Sequence, residues 1–461
     1  MKFIEHVFER FASKTPISVM ARATIENVLS ATHVDAVFNQ HATQQYAGEL
    51  MFSTVADIMG HVVLRIHPSV NAAYLNRKEE IGVTVKSVYD KLKGIESPVS
   101  RGLLRETAMR MQAIIAQTGG VSEPLVAGYH TKIVDGNHLR RTDRRIGELR
   151  PLNVAPLPGK ALVVYDPQYR LAIDVLPCED GHAQERSLLP ELLETVEADD
   201  LWIADRNFCT IAFLFGIASR QAKFIIRQHG NVPFRLKGRR KRIGEGETGV
   251  VYEQPIEITN DQGAIRTFRR ITVELSEPTR DGATEIHILT NLPQRIGGVR
   301  IAKLYRGRWT IETAFQEVSE SLEGEIETLG YPKAALFGFC MALISYNVFS
   351  VIRAAVHAVH GEEAAKELSV YYVCHEIASV HEGMTVVLDD NFWHSRYSCL
   401  TSTQMAAELK RLARNILLTK FKKNKWSPKK KPKTRANKKN RGHQSTHRIL
   451  EQAKKNAATA H

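Results

Sequence analysis

Three acidic residues stand where local sequence would bring them to the surface of a core. Asp135 ends the apolar run Ile133-Val134 and precedes Gly136, which places it at a strand end or edge. Asp205 closes LWIA and precedes Arg206-Asn207-Phe208, and Glu312 lies in YRGRWTIETAFQE, residues 305–317. Alone, each aspartate reads as a turn or cap residue, because short acidic side chains accept bonds from nearby backbone N–H groups. Glu312 changes that reading. On one regular helix, Tyr305, Arg308 and Glu312 fall within about 60° of one face. Gln316 and Ser319 continue that face, while Trp309, Ile311, Ala314, Phe315 and Val318 supply an apolar remainder that anchors the helix. A solvated Arg308–Glu312 stripe is the plain alternative. Two strand-end acids and a helical one are also what a two-metal phosphodiester site requires. Mg2+, with Mn2+ as a substitute, takes hard oxygen ligands and keeps several waters. Two such ions about 3.5–4 Å apart can activate an attacking oxygen and stabilise the leaving one. Arg308, with Arg306 or Lys303 nearby, could then position a phosphate backbone without reading sequence.

The elements that must hold these residues follow from the pattern. Residues 1–125 carry apolar residues at helical spacing and few strand signals, which predicts an all-helical N-terminal domain. Within it, VTVKSVYDKLKGIESPVSRGLLRE reads equally as a helix-turn-helix or as plain helical packing. From Thr118-Gly119-Gly120 the texture shifts to short β-rich runs: 131–136, 161–166, 171–176, 201–205 and 223–228, with helical patterns on either side of the fourth. The order β-β-β-α-β-α-β predicts an antiparallel meander extended by parallel strands, because short turns join antiparallel neighbours and helices join parallel ones. Residues 126–229 are thus the first part of an α/β core. The sheet pattern stops there, and residues 230–292 read as a β-rich insertion carrying the basic loop RLKGRRKR, with Arg239, Arg240, Lys241 and Arg242. Helices resume over 293–418, completing the core. Residues 419–461 form a basic tail expected to be disordered when free.

Composition narrows the rest. The 461 residues suffice for roughly three domains, and 43% hydrophobic content suffices for a sizeable core. The formal charge of +13 is concentrated: from residue 411 onward there are 17 Lys/Arg against the single acid Glu451, leaving the first 410 residues with 46 basic and 49 acidic side chains. A polycation on a nearly neutral body points to a polyanionic partner. Five scattered cysteines without a C-x-x-C pair support neither a disulfide framework nor a thiolate zinc site, and the charged N-terminus lacks the apolar segment of a signal peptide. Residues 334–352 carry no charge and meet the length of a membrane span, yet Ser345, Tyr346, Asn347 and Ser350 favour a buried core helix. The literal G-x-G-x-x-G at Gly244, Gly246 and Gly249 precedes a strand instead of a helix, which leaves a simple turn. The pairs His357/His360 and His375/His381 lack further zinc ligands.

The motifs VDGNHL with Asp135, ADRNF with Asp205 and YRGRWTIE with Glu312 resemble the Asp-Asp-Glu transposases of bacterial insertion sequences. The likeness is closest to insertion sequence family four, marked by a Tyr-x2-Arg-x3-Glu-x6-Lys signature, and the segment GHAQERSLLPELL is similar to that group as well. The resemblance spans 131 to about 325. It implies a ribonuclease-H-like core with a β-rich insertion between the second Asp and the Glu. It further implies a Mg2+-dependent enzyme that cuts terminal inverted repeats and joins the freed 3′-hydroxyls to target DNA. Asp135, Asp205 and Glu312 would be the metal ligands, and Tyr305 and Arg308 would contact DNA, with Arg306, Trp309 and the RLKGRRKR loop as further contacts. A homodimer assembled on DNA in the bacterial cytoplasm, at the nucleoid, and no membrane partner, would follow. Ser319 stands where the signature has its lysine, which weakens a hairpin route of excision. A nuclease without strand transfer and a non-catalytic DNA-binding descendant are the rival readings.

Overall fold

The computed structural model describes residues 2–45, 48–279, 282–423 and 442–459. Its first 118 residues form helices α1 (Lys2–Lys14), α2 (Pro16–Val28), α3 (Ala31–His41), α4 (Phe52–Val63), α5 (Val70–Asn76), α6 (Lys78–Ile81), α7 (Val85–Gly94) and α8 (Ser97–Thr118). Their ends follow local chemistry: proline in the first turn of α2 and α8, hydroxyl caps at Ser69 and Thr84, and left-handed Gly119 closing α8. Residues 83–106 form α7, a short turn and the first half of α8. α8 packs against α3 and buries Leu103, Leu104, Met111 and Ile115. Glu96, in the turn before it, is buried and accepts the Thr43, Gln44 and Gln45 N–H groups at 2.9, 2.8 and 3.2 Å. The other face of α8, with Arg105, Met109, Arg110 and Ala113, is exposed.

The strands follow: β1 (His130–His138), β2 (Ala155–Leu157), β3 (Lys160–Asp166) and β4 (Leu171–Cys178), then α9 (Leu189–Leu193), β5 (Asp200–Ala204), α10 (Ile211–Ser219) and β6 (Lys223–Arg227). β1 pairs antiparallel with β3 and β3 with β4, while β5 adds parallel to β1 and β6 parallel to β5. The predicted meander and its parallel extension are therefore both present. Next come β7 (Arg235–Leu236), β8 (Lys241–Gly246), β9 (Gly249–Thr259), β10 (Ile265–Leu275) and β11 (Glu285–Thr290). Here the sequence expectation is corrected, because the sheet does not stop at residue 229. β11 pairs antiparallel with β6, and the sheet runs β4-β3-β1-β5-β6-β11-β10-β9-β7 with β8 on β9. The cause is the flank of β6, whose Phe224, Ile225 and Ile226 are fully buried and whose open row of backbone groups needs partners. The Gly244/Gly246/Gly249 motif forms the predicted turn. Gly246 faces Gly249 across a two-residue hairpin, and a Cβ on Gly249 (φ +150°) would meet the Glu274 carbonyl at 1.9 Å.

The remaining helices are α11 (Gly298–Arg306), α12 (Trp309–Glu320), α13 (Pro332–His360), α14 (Glu362–Glu367), α15 (Val370–Val387), α16 (Asp390–Tyr397) and α17 (Ser402–Ala413). α13 carries the uncharged run. Its most apolar window is wholly buried, as a core helix requires. It lies against α8, α4, α7, α17 and β4, where Asn347 bonds both the N–H and the C=O of Ala172 at 2.8 Å. One apolar core joins Phe8, Phe52 and Leu103 of the N-terminal helices to Ile133 of the sheet and to Ile311, Phe337 and Trp393 of the later helices. A second core, including Trp202, Phe213 and Phe268, fills the other sheet face. The tail expectation is corrected for its last part: β12 (His443–Ser445) pairs parallel with β2, and α18 (Thr446–Thr459) rests on the turn Gly147–Leu149. Ile449, Leu450 and Ala453, half-buried on α18, supply the apolar contact that a count of lysines hides. The lysine-rich stretch 424–441 lies outside the described residues.

Candidate functional site

The sheet register brings the two aspartates together. On the parallel pair β1/β5 the last partners are Val134 and Ala204, so the next residue on each chain is Asp135 and Asp205. Asp205 caps a short 3-10 turn, Arg206–Phe208, accepting the Asn207 N–H at 2.7 Å. Of the two places expected for Asp135, a strand end or an edge, the structure has the edge. β1 continues to His138 because β3 stays paired as far as Lys160, and only the side vacated by β5 is open. The Asp135 side chain is 17% exposed there, and one oxygen accepts the Gly136 N–H at 3.0 Å.

Glu312 and Arg308 reach the same place, by a different geometry from the one predicted. The single helix is broken: α11 ends at Arg306 and α12 begins at Trp309. The joint is tightened by bonds of 3.1 Å from Arg308 N to Tyr305 O, Thr310 N to Gly307 O and Ile311 N to Arg308 O. Even spacing on one regular helix therefore does not hold, and the joint at Gly307-Arg308 aims the side chains. Buried Arg308 donates from Nη1 to Asp135 Oδ2 and from Nη2 to Glu312 Oε1, each at 2.7 Å. Glu312 itself is half exposed. Tyr305 is half-buried near Arg308 and Asp205; burial raises its phenol pKa and the guanidinium opposes that shift.

Charge in the cluster is uneven. Burial pushes the Asp135 carboxyl up to about 6, with Asp205 and Glu312 adding to the shift and Arg308 and the Gly136 N–H opposing it. Burial would lower the Arg308 pKa, but Asp135, Tyr305 and Glu312 more than offset this and raise it. Among the described residues Arg308 Nε is buried without a hydrogen-bond partner. No three His, Cys, Asp or Glu side chains among them stand close enough to hold one ion, since Arg308 occupies the ground between Asp135 and Glu312. By donor type and charge the three carboxylates nonetheless fit a hard divalent cation: all offer oxygen, and one guanidinium bonds only two of them.

The remaining candidates are dispersed. Arg306 turns to Glu247 in the β8–β9 turn (2.5 Å), and Trp309 opens α12 with 59% of its surface exposed. Arg239, Arg240, Lys241 and Arg242 lie at the β7–β8 end of the sheet, with β5, β6, β11, β10 and β9 between them and β1. Arg240 bonds Glu285 at 2.8 Å and covers the Tyr252 ring, and Arg242 pairs with Glu245; Arg239 and Lys241 have no ion-pair partner among the described residues. Ser319 is half-buried and, among the described residues, its hydroxyl bonds the Gln316 carbonyl at 3.3 Å. His357 and His360 bond the carbonyls of Gly120 and Ala413. Sequence reasoning assigned no role to Glu185, in the segment GHAQERSLLPELL. One of its oxygens lies where a Cβ on Gly136 would be 2.2 Å away, and the other accepts from Asn207 Nδ2 at 3.4 Å. It thus lies between the residue after Asp135 and the turn after Asp205. A glycine directly after a strand aspartate, leaving room for another side chain, was the available signal.

All three acids fall inside one matched stretch. Residues 133–348 match the family model for the Transposase DDE domain. A protein of Sinorhizobium fredii (strain NBRC 101917 / NGR234) named "Putative transposase y4zB" is 28% identical over 249 residues, which is 49% of this chain and 64% of that relative. The chain thus spans less than two thirds of the relative's length. Both comparisons support a DDE transposase, a mixed α/β protein whose DDE match takes in β1, β5, β11 and α12.

Proposed function

We propose that the protein is an insertion-sequence transposase of family four that cuts DNA at terminal inverted repeats and joins the 3′ ends to target DNA. Asp135, Asp205 and Glu312 hold two Mg2+ ions, or Mn2+ in their place. The observation that carries this reading is the meeting of the first two acids across the β1/β5 register, with Arg308 linking Asp135 to Glu312 from α12. The strand order, an antiparallel β4-β3-β1 meander continued by parallel β5 and β6, supports a ribonuclease-H-like core. When bound, the ions supply Lewis acidity to the phosphodiester and lower the pKa of the attacking hydroxyl. This chain's residues do the rest. Asp135 must lose its proton to serve as a ligand, and it does so as pH rises through about 6. Arg308 balances two acids and offers a cation to a phosphate oxygen, while Tyr305 can donate its hydroxyl and exposed Trp309 a stacking face. Joining two ends calls for a homodimer on DNA, with segment 1–125 as its helical DNA-binding part.

The test supplies the full chain with duplexes bearing the element's end repeats, a target plasmid and Mg2+. Joined plasmid products are expected. Cut ends without joined product would instead support a nuclease, and binding without any cut would support a non-catalytic descendant, to which Ser319 is the pointer.

A further inference from the structure

β1 leaves Asp135 and runs into the loop 138–150, HLRRTDRRIGELR, where Arg140, Arg141, Arg144, Arg145 and Arg150 outnumber Asp143 and Glu148. The loop is seated. Leu139, Ile146 and Leu149 are buried, and Leu139 N, Thr142 N and Asp143 N donate to the carbonyls of Gly159, Pro156 and Glu327 at 3.2, 3.1 and 2.8 Å. With the aliphatic side chains turned in, all five arginines are exposed. Arg140 pairs with Glu325 and Arg145 with Asp143, whereas among the described residues Arg144 and Arg150 bond only the backbone carbonyls of Leu152 and Arg145. Arg141 has no ion-pair partner among the described residues. A distant segment joins this surface: α18 rests on Gly147–Leu149 within the loop, with Lys454 and Lys455 exposed.

An ordinary solvated face mixes its charges, as α14 does by pairing Lys366 with Glu362 and Glu363. Here five guanidiniums gather on an anchored loop and only Arg140 and Arg145 are in ion pairs among the described residues, an arrangement stabilised by a polyanion. Arginine's planar fork suits phosphate oxygens. Arg140 lies five residues beyond Asp135 along the chain, roughly 17 Å at strand spacing, which is a few phosphates along a duplex.

We propose that the loop 139–150 and α18 form a backbone-binding surface for the duplex DNA that flanks the cleaved phosphate. The choice of DNA as the polyanion rests on the transposase reading; the surface itself does not. The test is fluorescence anisotropy of a duplex of arbitrary sequence with the full chain in EDTA, over a range of KCl. For R141Q/R145Q the slope of log affinity against log salt is expected to become shallower by about 1–2, with affinity at 0.15 M salt falling roughly tenfold. Adding R144Q/R150Q, or separately K454Q/K455Q, should weaken binding further, and R239Q/K241Q at the far end of the sheet should change it less than R141Q/R145Q does. A folded R141Q/R145Q protein with wild-type slope and affinity would overturn the proposal, as would a loss confined to R239Q/K241Q. Loss of binding in the loop variants together with absence of Mg2+-dependent cutting by the wild type would leave the surface standing and remove the cleavage reading.

Discussion

Asp135 carries a carboxyl that burial, with Asp205 and Glu312, pushes up to about 6 while Arg308 opposes the shift. Because the folded-state pKa lies above the ordinary value of 3.8, the proton is held more tightly in the folded chain. Its contribution to stability is fully present below about pH 4 and is lost as pH rises through 6. Asp135→Asn, which does not titrate, should therefore be more stable than wild type at pH 7.5, by on the order of 3 kcal/mol, with the gap closing towards pH 4.5. Urea melts at the two pH values read this, and an equal gap at both would count against it. Millimolar Mg2+ should raise the wild-type melting temperature at pH 7.5 and leave Asp135→Asn unmoved, because a ligand stabilises only the state that binds it. Arg308→Gln removes the charge that lowers the Asp135 pKa, so the carboxyl should titrate above 6 and the acid limb of any Mg2+-dependent cleavage should move to higher pH. The residue types around Asp135, Asp205 and Glu312 suggested a shared site, and Arg308 bonds both Asp135 and Glu312, whereas Glu185 went unassigned because its neighbours Gly136 and Asn207 are distant in the chain.

Elements were legible where a local rule decides them. Short turns produced the β1-β3-β4 meander and helical crossovers produced the parallel β5 and β6. The joining of β11 to β6 was not legible, since it pairs Thr290 with Ile225 across a long excursion. Nor was the break before α12, because a single glycine in a helical pattern permits a joint without requiring one. α13 gives the element-scale prediction. Asn347 is fully buried and satisfies both backbone groups of Ala172 on β4, the outermost strand of the sheet. Asn347→Leu would leave that N–H and C=O unpaired in the core, and it should cost about 2–5 kcal/mol in a denaturant melt. A loss under about 0.5 kcal/mol would show that the Asn347 bridge contributes little.

The molecule as a whole is tied together by one core that runs from Phe8 through Ile133 to Phe421. The N-terminal helices bury their faces against α13, α15, α16 and α17, so they are not a separately packed unit. Residues 1–125 expressed alone should therefore lack a cooperative thermal transition, and a sharp melt of that segment would contradict the shared core. Charge is where the whole-molecule reading from sequence fell short. The tail was legible as a polycation, but the return of α18 to the Gly147–Leu149 turn depends on an apolar face of three residues within it. The central claim is that Asp135, Asp205 and Glu312 act as one metal-dependent phosphodiester site. It is tested most directly by single-turnover cleavage of end-repeat duplex in Mg2+ by Asp135→Asn, Asp205→Asn and Glu312→Gln, each compared with wild type. Loss of at least about a hundredfold in each, with duplex binding in EDTA retained, is the predicted result; cutting at the wild-type rate by any one of the three would contradict it.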